Sequence, residues 1–280
     1  MKRFIARAPR RAFVILLTLF ALLWASPFFL AWNSSLKSPE EFASTGVLEP
    51  AQTVSFANYV QVWVGLDFPL KVLNSMIISV GALLVSMVMA FFIAYAISIG
   101  KHKWRTFVLA TCVVIFLMPQ EAFAYPVFLV SKMVHMYGNV AFLIIPLGIT
   151  GAAFATFLLG NIMNHFPVEL LEAASIDGAS RWQVIRRVVI PLMMPSLLTV
   201  ALLLFVANWN EYLLTLLLLP DYESQTVPLA VASLNIGDAW NPPPMPVVAA
   251  ASILGAIPSF IIFAFFQRSL IRGITLGSSR

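Results

Sequence analysis

Long apolar stretches separated by short polar connections set the pattern of this chain. Six of them run approximately over residues 12–32, 73–99, 106–130, 139–163, 192–219 and 247–266. Each supplies the roughly 20 mainly apolar residues that an α-helix needs to cross about 30 Å of hydrocarbon. Helices are expected rather than strands, because hydrocarbon offers open backbone groups no partner and no ten-residue alternating pattern points to a barrel. The predicted fold class is therefore all-α: a polytopic membrane protein with six transmembrane helices in a single domain over 1–280. The first stretch is too long for the apolar region of a secretory signal and no clear small-x-small cleavage site follows it, so it reads as an uncleaved span.

Composition fixes the solvent. Hydrophobic residues make up 60% of the chain and charged residues 10%, and the mean hydropathy of +0.91 lies far above that of ordinary soluble domains. Of the 17 Lys and Arg residues, only Lys37, Lys71 and Lys132 fall on one side of the predicted spans. The positive-inside rule then places both termini and the connections at 100–105 and 164–191 in the cytoplasm. The net charge of +5 needs no nucleic acid to explain it, since juxtamembrane cations are attracted to anionic lipid headgroups. A lone cysteine, Cys112, sits within the third stretch and reads as packing.

Bond chemistry is not evident. His102, His135 and His165 lie in separate connections, and the sequence holds no HExxH pair, GxSxG elbow or Cys/His metal cluster. No catalytic or metal site is expected. A GxxxxGK[ST] phosphate loop is also missing, so any ATP-driven role requires a separate nucleotide-binding subunit. Two carboxylates sit at membrane depth: Glu121 in MPQEAFAYP, between Pro119 and Pro126, and Glu211 in NWNEY. Intramembrane acids usually face protein or water. With Asn208, Trp209 and Asn210 they form a candidate translocation pathway, the amides bonding hydroxyls and the indole offering a flat apolar face. The alternative is that these groups bond neighbouring helices or anchor at the interface.

The cytoplasmic connection at 164–191 contains ELLEAASIDGASRWQVIRRVVIP. A short helix should start near Pro167, whose missing N–H would have no intrahelical partner there, with Glu169 at its positive end. Ala173 and Ala174 give it a low profile, and Gly178 can take a positive φ that ends the helix. Ser180 and Gln183 match a capping box that starts a second helix, expected to end at Pro191. Trp182, Ile185 and Val189 form one apolar face of that helix while Arg186 and Arg187 stay wet or meet phosphate headgroups. From the residues alone, this bent pair is either a docking element or an amphipathic segment lying on the bilayer.

The spacing of Glu172, Ala173, Ala174, Gly178, Val188, Ile190 and Pro191 resembles the EAA loop of ATP-binding cassette importer permeases. The fuller string ELLEAASIDGAS, with Asp177 before Gly178, is similar to the carbohydrate-uptake subfamily typified by the smaller maltose-type permease subunit. The resemblance extends to AFFIAYAI (90–97), the Asn74–Ser75 pair, WNEY (209–212) and QRSLIRGIT (267–275). The chain departs from it in its short GITLGSSR ending and in Val188 and Ile190, which stand where Ile and Leu are commoner. The resemblance implies a type I importer permease fold in the bacterial inner membrane, and a coupling role for Glu172, Ala173, Ala174, Asp177, Gly178 and Ser180. It also implies a second permease subunit in a heterodimer, an ATPase dimer that binds the ATP and Mg, an external solute-binding protein and a lipid surround. The outer loop at 220–246, with NPPPMP at 241–246, resembles a segment that probes the binding protein. A polyamine or glycerol-phosphate importer would share the coupling loop, whereas an ion-coupled secondary transporter would not need it.

Overall fold

The structure is a computed structural model that describes residues 7–100, 102–236 and 243–278. Lys2, Arg3, Lys101 and Arg280 of the charge pattern, and Asn241 and Pro242 of the proline run, lie outside the described residues. All regular structure among the described residues is helical. Met1–Phe68 and Val231–Ile257 form one compact unit, and Pro69–Ala230 with Pro258–Arg280 form another.

In the first unit, helix α1 (Arg7–Ser35) carries an apolar span, Ala12–Ser35, that exposes large side chains such as Phe13, Leu16, Phe20 and Trp24. The connection after it is a small helical cap. Ser38 caps α2 (Pro39–Thr45) by accepting from the Glu41 N–H at 3.1 Å, and Gly46 leaves the helix at φ +70°. Buried Lys37 donates to the Gly46 carbonyl at 2.7 Å and the Thr45 hydroxyl at 2.9 Å, a cation placed on the negative end of that helix. Asn33 gathers the following segment: its Nδ2 donates to the Val47 and Glu49 carbonyls, and its Oδ1 accepts from the Ala51 N–H. Asn58, in α3 (Ala57–Val60), donates to the carbonyls of Ser35 and Lys37 at 2.8 Å.

The second unit is built around α4 (Phe68–Ala94), extended by a wide π-helical turn to Ile99, α5 (Arg105–Leu117), α6 (Gln120–Met133) and α7 (Ile144–Met163). Close approach of α4 and α7 depends on small residues, the usual device where lipid gives helices no hydrophobic reason to associate. A Cβ on Gly148 would lie 2.6 Å from Val85 Cγ1. That proximity lets Ser86 donate to the Gly148 carbonyl at 2.9 Å, and Ser98 donates likewise to the Gly160 carbonyl at 2.8 Å. The chain continues through α8 (Val168–Ile176), α9 (Arg181–Val184), α10 (Ile190–Trp209) and α11 (Leu213–Leu218), then α12 (Val227–Ile236) and α13 (Met245–Ser278).

Among the described residues, five helices are long and apolar enough to cross a membrane: Ala12–Ser35, Phe68–Ile99, Val140–Met163, Arg181–Trp209 and Met245–Gln267. The third predicted span, 106–130, is not continuous. Arg105–Leu117 and Gln120–Met133 meet at 88°, because Pro119 has no N–H to donate and drives Met118 out of the helical region, to ψ 127°. The span expected over 192–219 is likewise interrupted. Helix α10 ends at Trp209, Asn210 turns back to bond the Val206 carbonyl, and α11 starts afresh at Leu213.

A further expectation fails at Pro191, which was to end the second elbow helix. The helix instead runs from Arg181 to Trp209 without a break. A π-helical turn at Ile185–Val189, closed by the Ile190 N–H on the Ile185 carbonyl, widens the backbone where the proline ring would otherwise strike the preceding turn. One limb of the elbow is therefore the lower end of a membrane span.

Candidate functional site

The elbow is defined by local hydrogen bonds. Pro167 stands at the N-cap of α8 with Glu169 in the first turn, where a carboxylate complements the free N–H groups. At the other end Gly178, at φ +76°, donates to the Ser175 carbonyl, and the next N–H, of Ala179, reaches back to the Ala174 carbonyl at 3.0 Å. These two bonds make a Schellman motif, which satisfies the last carbonyls and turns the chain. Two residues on, the Ser180 N–H donates to Gln183 Oε1 at 2.7 Å, and the Ser180 hydroxyl accepts from the Gln183 N–H at 3.4 Å, the predicted capping box.

The elbow has a packed inner face and a bare tip. Val184, Ile185 and Val189 are buried in a core with Met163, Phe166 and Leu159, while Leu171, Ala174 and Ala179 pack half-buried against it. Burying Val184 and Ile185 contributes about 1.5–3 kcal/mol each, several times thermal energy, so the elbow moves with the helices it joins. The tip exposes Glu172, Ala173, Asp177, Gly178 and Ser180. The expectation that Ala173 and Ala174 lie on one outward surface is corrected here: Ala174 faces the core, as C3 of the Schellman motif commonly does. Ile176 was not singled out, yet at 86% exposure it is the most exposed large apolar side chain of the described residues. Its signal is an apolar residue set between Ser175 and Asp177 at the end of the short helix. Trp182, expected with Ile185 and Val189 on one apolar face, is itself exposed and borders a surface groove with Phe91, Phe92 and Ile185.

The second feature is a cleft of about 330 Å³ at the two helix breaks. Its walls come from α5, α6, α7 and α10, with Phe116, Phe123 and Phe154 as aromatic surfaces and Gln120, Thr150, Asn208 and Glu211 as polar groups. Phe116 and Phe154 hold their ring centroids 4.8 Å apart. Glu211, only 7% exposed, spans both breaks: Oε1 accepts from the Leu214 N–H at 2.8 Å, capping α11, and Oε2 accepts from Gln120 Nε2 at 3.0 Å, at the start of α6. Asn208 is 9% exposed and its Nδ2 has no hydrogen-bond partner. An unmatched buried donor costs about 1–3 kcal/mol, so an acceptor brought to this amide would be favoured.

Of the five pathway candidates, Asn208 and Glu211 line the cleft. Glu121 is exposed on the first turn of α6, outside the cleft lining, while its neighbour Gln120 turns inward. Trp209 is buried and stacks on Phe205 at 5.8 Å, and Asn210 is exposed at the helix end. Gln120 escaped the sequence reading because only its contact with Glu211, 91 residues away, gives it a role. The described lining sets aromatic surfaces against hydrogen-bonding groups, an arrangement able to bind and orient a solute.

At the end of this unit remote from the elbow, Asn74 donates to the carbonyls of Glu223 and Gln225, and the Ser75 hydroxyl accepts from the Val227 N–H at 2.8 Å. Fully buried Lys71 donates to the Tyr222 carbonyl beneath the Tyr222 ring. Lys71, Asn74 and Ser75 share one face of α4 by their i, i+3 and i+4 spacing, and together they clamp the segment at 222–227.

Residues 86–274 match the family described as binding-protein-dependent transport system inner membrane component. The chain is similar to the trehalose transport system permease protein SugB of Mycobacterium tuberculosis, 29% identical over 90% of this chain and 91% of that protein. It is also similar to the diacetylchitobiose uptake system permease protein DasC of Streptomyces coelicolor, 30% identical over 73% of each. Among solved structures, a chain of a bacterial ABC transporter involved in the import of the acidic polysaccharide alginate superposes with a TM-score of 0.78 at 23% identity, over 94% of this chain and 96% of that one, which shows a common fold. With well over half of its length matched and a helical membrane architecture to go with it, the chain belongs to the binding-protein-dependent transport system inner membrane components.

Proposed function

We propose that the chain is the permease subunit of an ATP-binding cassette importer that moves a carbohydrate, in the sense of a sugar, oligosaccharide, glycoside or polyol, by alternating access. The substrate class is supported by relatives named for trehalose and diacetylchitobiose uptake and by a cleft that combines aromatic walls with hydrogen-bonding groups. The observation that carries the mechanism is the elbow, whose bare tip is joined to the helix core through Val184 and Ile185. A force applied at Glu172, Ala173, Ile176, Asp177, Gly178 and Ser180 is passed into α10 along one unbroken helix that holds a π-helical turn at Ile185–Val189. Closure of a cytoplasmic ATPase dimer around ATP and Mg would supply that force and rock the bundle.

In this reading the termini and elbow face the cytoplasm, which the Lys and Arg distribution supports. A second permease completes the pathway, forming a heterodimer, and α1 offers apolar surface to lipid or to that partner. The clamped segment at 222–227 and the residues that follow it face the solute-binding protein outside. The experiment is Glu172→Lys in the importer assembled with its own partners: uptake in proteoliposomes is lost and copurification with the ATPase falls, while membrane insertion is retained. Normal uptake by this variant removes the coupling role.

A further inference from the structure

The polar groups of the cleft differ in what they still lack. Thr150 gives its hydroxyl to the carbonyls of Pro146 and Leu147, and Gln120 gives its amide to Glu211. Glu211 accepts one bond on each oxygen, which leaves further lone pairs free. Asn208 Nδ2 is buried with no partner. Unmet acceptor capacity on a carboxylate and an unmet amide donor therefore sit three residues apart on the same side of one helix end, facing three phenylalanines.

We propose that this cleft is a solute subsite belonging to this subunit, which takes one ring of a neutral polyhydroxylated solute, Asn208 donating to one hydroxyl and Glu211 accepting from a neighbour. The inference rests on the carbohydrate reading above and deepens it. A hydroxyl both donates and accepts, so adjacent hydroxyls satisfy both groups at once. An ammonium group carries donors only; it would satisfy Glu211 and leave Asn208 unmatched. A phosphate or carboxylate could accept from Asn208, but it would sit beside the Glu211 carboxylate with no cation among the lining residues to offset the repulsion. The C–H face of a sugar ring finds its complement in Phe116, Phe123 and Phe154. At about 330 Å³ the space lies at the low end of small-molecule sites, which run from about 300 to 1,000 Å³. It accommodates a single ring.

The position follows from the fold. Hydrocarbon excludes open polar backbone unless it lines a protected cavity, and here two interrupted helices meet, one broken at Met118–Pro119 and the other at Asn210–Tyr212, joined across the gap by Gln120 and Glu211. Discontinuous helices of this kind build binding sites at membrane depth in other transporters.

The test is Asn208→Leu in the importer reconstituted in proteoliposomes with its own ATPase, second permease and binding protein. The probes are radiolabelled trehalose, raffinose, diacetylchitobiose and sorbitol, with spermidine and glycerol 3-phosphate alongside. Removing one neutral hydrogen bond raises the KM for the transported carbohydrate about fivefold to tenfold. The thermal midpoint of the solubilised complex stays level or rises, because the variant removes an unmatched buried donor. Asn208→Ser, which keeps a donor, holds KM within about threefold of the wild type. Glu121→Gln, outside the cleft, leaves KM unchanged. An unchanged KM in Asn208→Leu, or a lowered thermal midpoint without a change in KM, overturns the subsite while leaving the carbohydrate importer standing. Uptake of spermidine or glycerol 3-phosphate in place of every carbohydrate overturns both.

Discussion

Gly178 gives the sharpest prediction, because the structure separates conformation from space. Its φ of +76° lies in the left-handed region, and a Cβ built there meets nothing within 4 Å. Side-chain bulk is therefore tolerated by the chain itself, and a substitution acts only through the backbone. An L-residue in that region costs about 1–2 kcal/mol, least for Asn and most for a β-branched residue. At about 1.4 kcal/mol for each factor of ten, Gly178→Ala lowers the population of the intact turn several-fold and Gly178→Val about tenfold or more, with Gly178→Asn close to wild type. Because the Schellman bonds from Gly178 and Ala179 close only in that conformation, the loss transfers to the whole tip from Glu172 to Ser180. The assay is solute-stimulated ATPase activity and uptake by the reconstituted importer, which should fall in the order Asn, Ala, Val, with ATPase activity less affected than uptake. If Ala and Val both match the wild type, the turn does not transmit force. If Asn is as damaging as Val, the residue is required for close approach by a partner and the conformational account is wrong.

Two other predictions concern polar clusters outside the elbow. Lys71→Met or Asn74→Leu frees the segment at 222–227 from α4, so a cysteine placed at Glu223 labels several-fold faster and the segment becomes open to protease; unchanged labelling in both would show that the clamp is redundant. Glu41 accepts from the Gln52 N–H and the Thr53 hydroxyl, which hold its carboxyl below the usual 4.5. A carboxylate depressed in the folded state stabilises fully above its unfolded value and loses that contribution as the pH falls through its folded one. Hydrogen exchange at Gln52 and Thr53 should therefore rise as the pH is lowered below 4.5, after correction for intrinsic rates, and Glu41→Gln should abolish that dependence.

The elbow was legible in the sequence because everything that shapes it is local. Pro167, Gly178, Ser180 and Gln183 act on backbone groups within five residues, so spacing alone predicts a helix, a left-handed turn and a capped restart. The span count was legible for a similar reason: the cost of unpaired backbone in hydrocarbon forces long apolar runs into helices whatever surrounds them. Pro119 and Pro126 look alike in the sequence, yet Pro119 breaks its span by 88° while Pro126 sits within α6. The first leaves Met118 extended; the second is absorbed in the helix.

What the sequence determined by itself was the long apolar spans and the elbow, since each rests on interactions between neighbours or on transfer to a uniform solvent. What only the tertiary structure decided was which polar groups meet. Gln120 reaches Glu211 across 91 residues and Asn74 reaches Glu223 across 149, Ala174 turns to the core while Ala173 does not, and Asn208 is left without a partner where Asn210 bonds its own helix. Those outcomes depend on how rigid helices cross and where they break, and a hydrogen bond between distant residues leaves no period or spacing in the chain for a reader to find.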